Sequence, residues 1–189
     1  MGSFNLVKGC YPPFIHRLEF GYVANRLYRG SRMYRFRLLA IGSPKPGPFA
    51  SVTQDYARRM SPYARVEETA LKEEKFRSAN ERGQVWKHEA EALKRASEDG
   101  AFRILLNERG KTYASEAFAQ QVDRWAEGGA RTVEFWLGGP LGTDPTLEKE
   151  ADAVLSLSPM TFPHELARVM LHEQLYRAMT ILRGKTYHY

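Results

Sequence analysis

Three polar side chains recur at every fourth position near the C-terminus. His164, Arg168 and His172 are each separated by four residues, so a helix through this segment places all three on one face. A histidine with an unperturbed pKa of about 6.5 can exchange a proton near neutral pH. The same spacing is equally typical of a solvated face or of a buried, paired one, so the pattern alone leaves both catalysis and structure open.

Other residue patterns that suggest chemistry fail on spacing. The Gly-Lys-Thr tripeptides at 110–112 and 184–186 resemble the end of a phosphate-binding P-loop, but neither has a glycine five residues before its own glycine. The His-Glu pairs at 164–165 and 172–173 lack the second histidine of a zinc-protease helix. Cys10 is the only cysteine and no Gly-x-Ser-x-Gly string occurs. The sequence therefore predicts no metal site and no covalent nucleophile.

Three polar or glycine-rich loops follow apolar runs in the second half of the chain. The string Gly-Gly-Pro-Leu-Gly at 138–142 follows Leu137, a polar turn at 107–111 follows Leu106, and residues 157–162 end the next apolar run. If these runs are parallel strands, the loops meet at the edge of the sheet where small ligands bind. Backbone groups of such loops can contact an adenine without a charged side chain. Turns after strands often contain glycine, so this pattern is weak by itself.

The elements that would position these loops are typical of an α/β domain. Apolar runs alternate with helical patterns from Met33 onward, which predicts a mainly parallel sheet flanked by helices. The predicted strands are 34–41, 64–71, 102–106, 132–137 and 154–157, and the predicted helices are 49–60, 73–97, Ser115 to Gly128-Gly129, 147–151 and 163–183. The helix over 73–97 has a narrow apolar stripe, which is typical of a peripheral helix.

Composition excludes several classes of protein. The chain has 189 residues, 43% of them hydrophobic and 26% charged, which indicates one globular domain rather than a disordered or membrane protein. The single cysteine excludes a disulfide scaffold and favours a reducing, cytoplasmic location. Residues 1–32 contain five basic residues and one acid, so they carry +4 of the net charge of +6. They show no sustained period, and we expect them to be a disordered extension of a domain that starts at Met33.

Four strings point to a known family when they are considered in order. The longest runs from Leu157 to Arg168 (LSPMTFPHELAR) and continues through EQLYRA at 173–178 to GKTYH at 184–188. The others are LNERGK at 106–111, WLGGPLG at 136–142 and LLAIG at 38–42. Together they closely resemble the large-subunit ribosomal RNA methyltransferase H family, a group of bacterial SPOUT-class enzymes. The resemblance covers 33–189, which we therefore identify as a SPOUT methyltransferase domain.

The resemblance implies a fold, a cofactor and a substrate. It implies a deep trefoil knot in the α/β sheet, a homodimer, and S-adenosylmethionine held in the knot. It also implies methylation at N3 of a pseudouridine in helix 69 of 23S rRNA in the ribosome. Carried over by position, the cofactor pocket consists of Leu106, Gly138, Leu157, Ser158, Pro159, Met160, Thr161 and Phe162. The last helix is apolar over a wide arc, which fits a second protomer as an additional neighbour.

Methyl transfer to this nitrogen requires loss of a proton. His188 or His164 has a suitable unperturbed pKa to assist it, and Tyr187 and Arg168 complete the set of candidate catalytic residues. Tyr189 stands where the family usually has Lys or Arg, so a positive charge is missing at the C-terminus. The alternative hypothesis is a noncatalytic α/β nucleotide- or RNA-binding module that retains the fold, and the altered C-terminus favours it.

Overall fold

A five-stranded parallel sheet forms the centre of the computed structural model, which describes residues 33–127 and 132–185. The strands are β1 (Tyr34–Ile41), β2 (Ala64–Leu71), β3 (Phe102–Lys111), β4 (Val133–Leu137) and β5 (Ala153–Leu155). The helices are α1 (Pro48–Met60), α2 (Arg82–Ala96), α3 (Ser115–Glu127), α4 (Leu147–Glu150) and α5 (His164–Leu182). The strand order is β2-β1-β4-β3-β5, and every pairing is parallel. The predicted α/β class is confirmed, and the trefoil knot stays a prediction.

The alternation of side chains along the strands creates two apolar layers. Leu38 of β1 faces the larger layer, which is formed with α1, α3 and α5, whereas Leu39 faces the smaller layer, which contains residues of α2 and α4. Neighbouring residues of a strand point to opposite faces, so a strand buried on both faces is apolar throughout. This explains why all five residues of β4 are buried and four of them are apolar, while the buried Glu134 is paired with Arg37 of β1 over 2.7 Å.

The predicted helix over 73–97 is wrong in its first part. The α-helix begins only at Arg82, after a short 3-10 turn at Ala79–Glu81, and residues 72–78 are irregular. Residues 72–78 (KEEKFRS) contain one apolar side chain, Phe76, which is 38% exposed. A helix there would have no apolar face to bury, and burial of such a face provides most of a helix's stability in a protein.

Two strand ends also differ from the predictions. The segment 107–111, expected as a turn, belongs to β3, which shifts its pairing with β5 between Leu106 and Lys111. Both of these residues pair with Leu155, so the intervening residues bulge out of the ladder. The strand predicted at 154–157 is Ala153–Leu155, so residues 156 and 157 belong to the following loop.

Helix α5 has its neighbours within the same chain. It packs against α1 on one side and α3 on the other, above the sheet. The wide apolar arc predicted from the sequence is thus used by intrachain contacts and does not by itself require a second protomer. The predictions for residues 1–32, for Gly128-Gly129 and for the tail Tyr187, His188 and Tyr189 lie outside the described residues.

Candidate functional site

A cavity of about 480 Å³ lies at the carboxyl ends of β3, β4 and β5. Small-molecule sites commonly have volumes of roughly 300–1,000 Å³, so this cavity can hold a nucleoside-sized ligand. Its walls are the end of β3 (106–109), the turn after β4 (137–143) and the loop after β5 (155–162), with contributions from Arg82, Trp86, Pro145, Glu148, His164 and Ala167. The three segments predicted to meet at one edge of the sheet therefore do so, although 106–109 belong to the end of β3 rather than to a loop.

The turn after β4 leaves no room for larger residues. Gly142 has a φ of +88°, which favours glycine, and its N–H donates to the carbonyl of Gly139 over 3.0 Å. A Cβ added at Gly138 would lie 2.2 Å from Cγ2 of Thr143. The Asn107 amide donates to Oγ1 of the same Thr143 over 3.2 Å, which ties the turn to β3. The turn that lines the cavity is thus held in place by its own hydrogen bond and by the bond between Asn107 and Thr143.

The loop after β5 is organised by its own serines. The Ser156 hydroxyl donates to the carbonyl of Ser158 over 2.8 Å, and the Met160 N–H donates to the Ser158 hydroxyl over 3.0 Å. The Ser156 N–H donates to the Lys111 carbonyl over 3.0 Å. Gly110 permits this arrangement, because a Cβ there would lie 2.6 Å from the backbone carbon of Leu155. Short local bonds of this kind fix the loop before any ligand arrives.

One wall of the cavity comes from α2, which the sequence reading did not assign to the site. Trp86 lines the cavity and donates from Nε1 to the carbonyl of Leu141 over 3.0 Å. The Arg82 guanidinium lies over the Trp86 ring at 5.5 Å from its centroid. One feature of the sequence could have indicated this wall. The apolar stripe of this highly charged helix contains Trp86 and, three residues later, the charged Glu89.

The histidine and arginine stripe of α5 is divided between the site and the core. His164 is the first residue of the helix and lines the cavity. Arg168 is 2% exposed; its guanidinium pairs with Glu68 of β2 and donates to the carbonyl of Gly42. The His172 ring is equally buried, and its Nδ1–H donates to the Arg168 carbonyl over 2.9 Å. Burial lowers the pKa of His172, so its imidazole is neutral near pH 7.

Most of the predicted cofactor residues share the cavity. Those that line it are Leu106, Gly138, Leu157, Ser158, Met160, Thr161 and Phe162, whereas Pro159 and Arg168 are not among its lining residues. Within 33–127 and 132–185 no group of three or more His, Cys, Asp or Glu side chains could hold a metal ion. No helix in the same ranges is long and apolar enough to cross a membrane.

Residues 34–188 match the family described as predicted SPOUT methyltransferase. The chain belongs to the SPOUT methyltransferase family. A ribosomal RNA large subunit methyltransferase H of Rhizobium meliloti (strain 1021) is 41% identical over 162 residues, which cover 82% of this chain and 98% of the relative. The proteins of the same name from Anaeromyxobacter sp. (strain Fw109-5) and Bordetella pertussis (strain Tohama I) are 41% and 38% identical and cover 82% and 79% of this chain. The predicted resemblance is thus confirmed.

Membership of this family decides between the two functional hypotheses. The chain is a methyltransferase, which favours the enzyme over the noncatalytic binding module. The cavity at the carboxyl ends of β3, β4 and β5 is the place in the described residues where loops from three strands converge. It is therefore the candidate active site of this SPOUT methyltransferase.

Proposed function

We propose that this enzyme methylates large-subunit rRNA with S-adenosylmethionine as methyl donor, at N3 of a pseudouridine in helix 69 of 23S rRNA. The observation that carries the proposal is the convergence of 106–109, 137–143 and 155–162 on one cavity. These are the segments in which the sequence most closely resembles the methyltransferase H family. The names of the relatives support rRNA as the substrate class, and the ribosome then implies a cytoplasmic location.

The cavity fits the methyl donor by its size and by the chemistry of its walls. Backbone groups of 137–142 and 157–162 offer N–H donors and carbonyl acceptors to the adenine and ribose, and Leu106, Leu157 and Phe162 provide apolar surface. Carbonyl and N–H groups recognise a neutral purine without the desolvation cost of a buried charge. When bound, S-adenosylmethionine supplies an electrophilic methyl group on a sulfonium. The loops would orient it toward the open side of the cavity and exclude water around it.

Loss of the N3 proton must be assisted by a side chain that can reach the substrate. His164 lines the cavity and is partly exposed, so its imidazole can reach a substrate that enters from solvent. His188 and Tyr187 of the tail, which follows α5, are the other candidates for assisting the proton of N3. Arg168 belongs to α5, and its guanidinium pairs with Glu68 and donates to the carbonyl of Gly42. We therefore assign Arg168 a positioning role, in which it fixes α5 and so the place of His164.

A homodimer is supported by apolar surface along α1 and α5. Phe49 and Val52 of α1 are 45% and 40% exposed and lie three residues apart, hence on one side of the helix. Tyr56, one turn further along, has its ring 6.0 Å from that of Tyr176 in α5. In a dimer with a twofold axis, this surface of one protomer would pack against the equivalent surface of the other.

A methyl-transfer assay tests the proposed function. Labelled S-adenosylmethionine is incubated with the enzyme and, in separate reactions, with free 23S rRNA, large subunits and assembled ribosomes that lack the modification. Labelled nucleoside recovered as N3-methylpseudouridine from helix 69 is the expected result in at least one reaction. Label at another nucleotide would refute the assigned position, and no label in any of the three substrates would refute rRNA as the substrate class.

A further inference from the structure

Two side chains of α2 form hydrogen bonds with the backbone of the turn after β4. Trp86 donates from Nε1 to the Leu141 carbonyl over 3.0 Å. Glu89 lies three residues further along, hence on the same side of the helix, and its carboxylate accepts a hydrogen bond from the Gly139 N–H. Both contacts fall on the backbone of residues 139–141, which line the cavity.

The approach of Glu89 to the turn depends on a glycine. A Cβ at Gly139 would lie 2.4 Å and 2.7 Å from the two carboxylate oxygens of Glu89. Glu89 is itself 3% exposed, and its Oε1 also accepts the Glu74 N–H over 3.3 Å. One carboxylate therefore joins the segment after β2, the helix α2 and the turn after β4.

A carboxylate at this position is costly for the fold. Burial raises the pKa of Glu89, and the acidic neighbours Glu73 and Glu74 raise it further. Glu89 occupies the buried stripe of α2 between Val85 and Leu93, where an apolar side chain would avoid the cost of desolvating a charge. The favourable contribution of the carboxylate is thus specific: it accepts two backbone N–H groups that an apolar side chain would leave unpaired.

We propose that Trp86 and Glu89 are positioning residues that hold the turn 138–142 in the conformation that binds the methyl donor. This inference rests on the proposed function, because the ligand of the turn is the S-adenosylmethionine proposed above. The two side chains act through backbone groups of Leu141 and Gly139. Their removal should therefore lower donor affinity without removing a contact to the reacting atoms.

The protonation of Glu89 affects stability and binding with opposite signs. Its folded-state pKa is raised above the ordinary value of 4.5, so the folded state binds this proton more tightly than the unfolded state does. Its contribution to stability is present at low pH and is lost as the pH rises through the folded-state pKa. An ionised carboxylate accepts the Gly139 and Glu74 N–H groups more strongly than the protonated acid does, so affinity for S-adenosylmethionine should increase over the same interval. The charged groups that act on Glu89 are Glu73 and Glu74, both from the segment before α2.

Calorimetry of S-adenosylmethionine binding between pH 5 and 8 tests the proposal with four proteins. Trp86→Phe keeps an aromatic side chain but removes the Nε1–H that donates to Leu141. Glu89→Gln keeps the shape of the side chain but replaces one accepting oxygen with an NH₂ group. Glu91→Gln is the matched control, since Glu91 is on the same helix, pairs with Arg95 and does not contact the turn. One hydrogen bond contributes roughly 0.5–1.5 kcal/mol, so each of the first two variants should weaken binding about 2- to 12-fold.

The outcomes separate this inference from the proposed function. Support consists of weaker binding by W86F and E89Q, parent-like binding by E91Q, and a rise in parent affinity with pH that E89Q lacks. Urea unfolding over the same pH range should show the parent losing stability relative to E89Q. If the parent binds and the folded W86F and E89Q variants bind equally well, the positioning role is overturned. The positioning role is also overturned if S-adenosylmethionine affinity changes only in parallel with the free energy of unfolding across the variants and pH values. If the parent itself does not bind the donor, the cofactor assignment fails, and this inference fails with it.

Discussion

A methyl group on Gly138 should disturb the turn after β4 through one neighbouring side chain. In Gly138→Ala the new Cβ would lie 2.2 Å from Cγ2 of Thr143, whereas ordinary contact begins at 3.4 Å. The next atoms, the Gly142 carbonyl oxygen at 3.3 Å and Thr143 Cβ at 3.5 Å, are close to normal contact. Overpacking of this kind costs about 1–3 kcal/mol. We expect that loss of stability and, because the turn lines the cavity, a weakening of S-adenosylmethionine binding of about tenfold or more.

Thr143→Ser provides a specific rescue of this variant. Serine lacks Cγ2, which removes the closest contact, but retains the hydroxyl that accepts the hydrogen bond from Asn107. We expect T143S alone to lower the free energy of unfolding by less than about 1 kcal/mol. The loss in the double variant G138A/T143S should be smaller than the sum of the losses in the two single variants by roughly 1–2 kcal/mol. Urea unfolding of the four proteins gives this coupling energy, and calorimetry gives the affinity of each.

Two results would refute this reasoning. Additive stabilities would mean that the methyl group is accommodated without contacting Thr143. A double variant with parent-like stability that does not bind S-adenosylmethionine would mean that the Cβ meets the ligand directly, as a cavity wall, rather than distorting the turn. The position of Thr143 favours the indirect effect over a direct clash with the ligand.

Further predictions concern the core of α5 and the two chain termini. Glu68→Gln should reduce the free energy of unfolding by about 3 kcal/mol, measured in urea, because the Arg168 charge remains buried without its counter-charge and Glu68 is only 21% exposed in its side chain; an unchanged midpoint would show that the pair contributes nothing. His188→Ala should reduce methylation strongly and leave S-adenosylmethionine affinity intact. Methylation at the parent rate would mean that the proton acceptor is His164 or solvent rather than His188. Tyr189→Lys should strengthen rRNA binding and add about one phosphate contact to its salt dependence, which a filter-binding titration with salt detects. Truncation to Met33 should leave the melting temperature and the oligomeric state unchanged, and a large fall in either would identify 1–32 as a docked element.

The sequence predicted those features that have a local cause. The strands Tyr34–Ile41 and Ala64–Leu71 were predicted with the bounds that the structure shows, because apolar patterning and the flanking Gly42 and Pro62 mark their limits. The three loops of the cavity were also predicted, since parallel strands place all their carboxyl ends at one edge. The helix predicted over 73–97 was wrong at 73–81, because the charged residues there have good helix propensity but no apolar face to bury.

The sequence by itself determined the α/β class, the family and the segments of the site, because those are recorded in periods and strings of neighbouring residues. Only the tertiary structure decided which side chains meet across the order β2-β1-β4-β3-β5. It places Arg168 of α5 against Glu68 of β2, 100 positions away in the chain, and so inside the core rather than in the cavity. It also brings Glu89 to Gly139. A helical period records which face of a helix is buried but not what lies opposite that face, and the crossover connections between strands determine that partner.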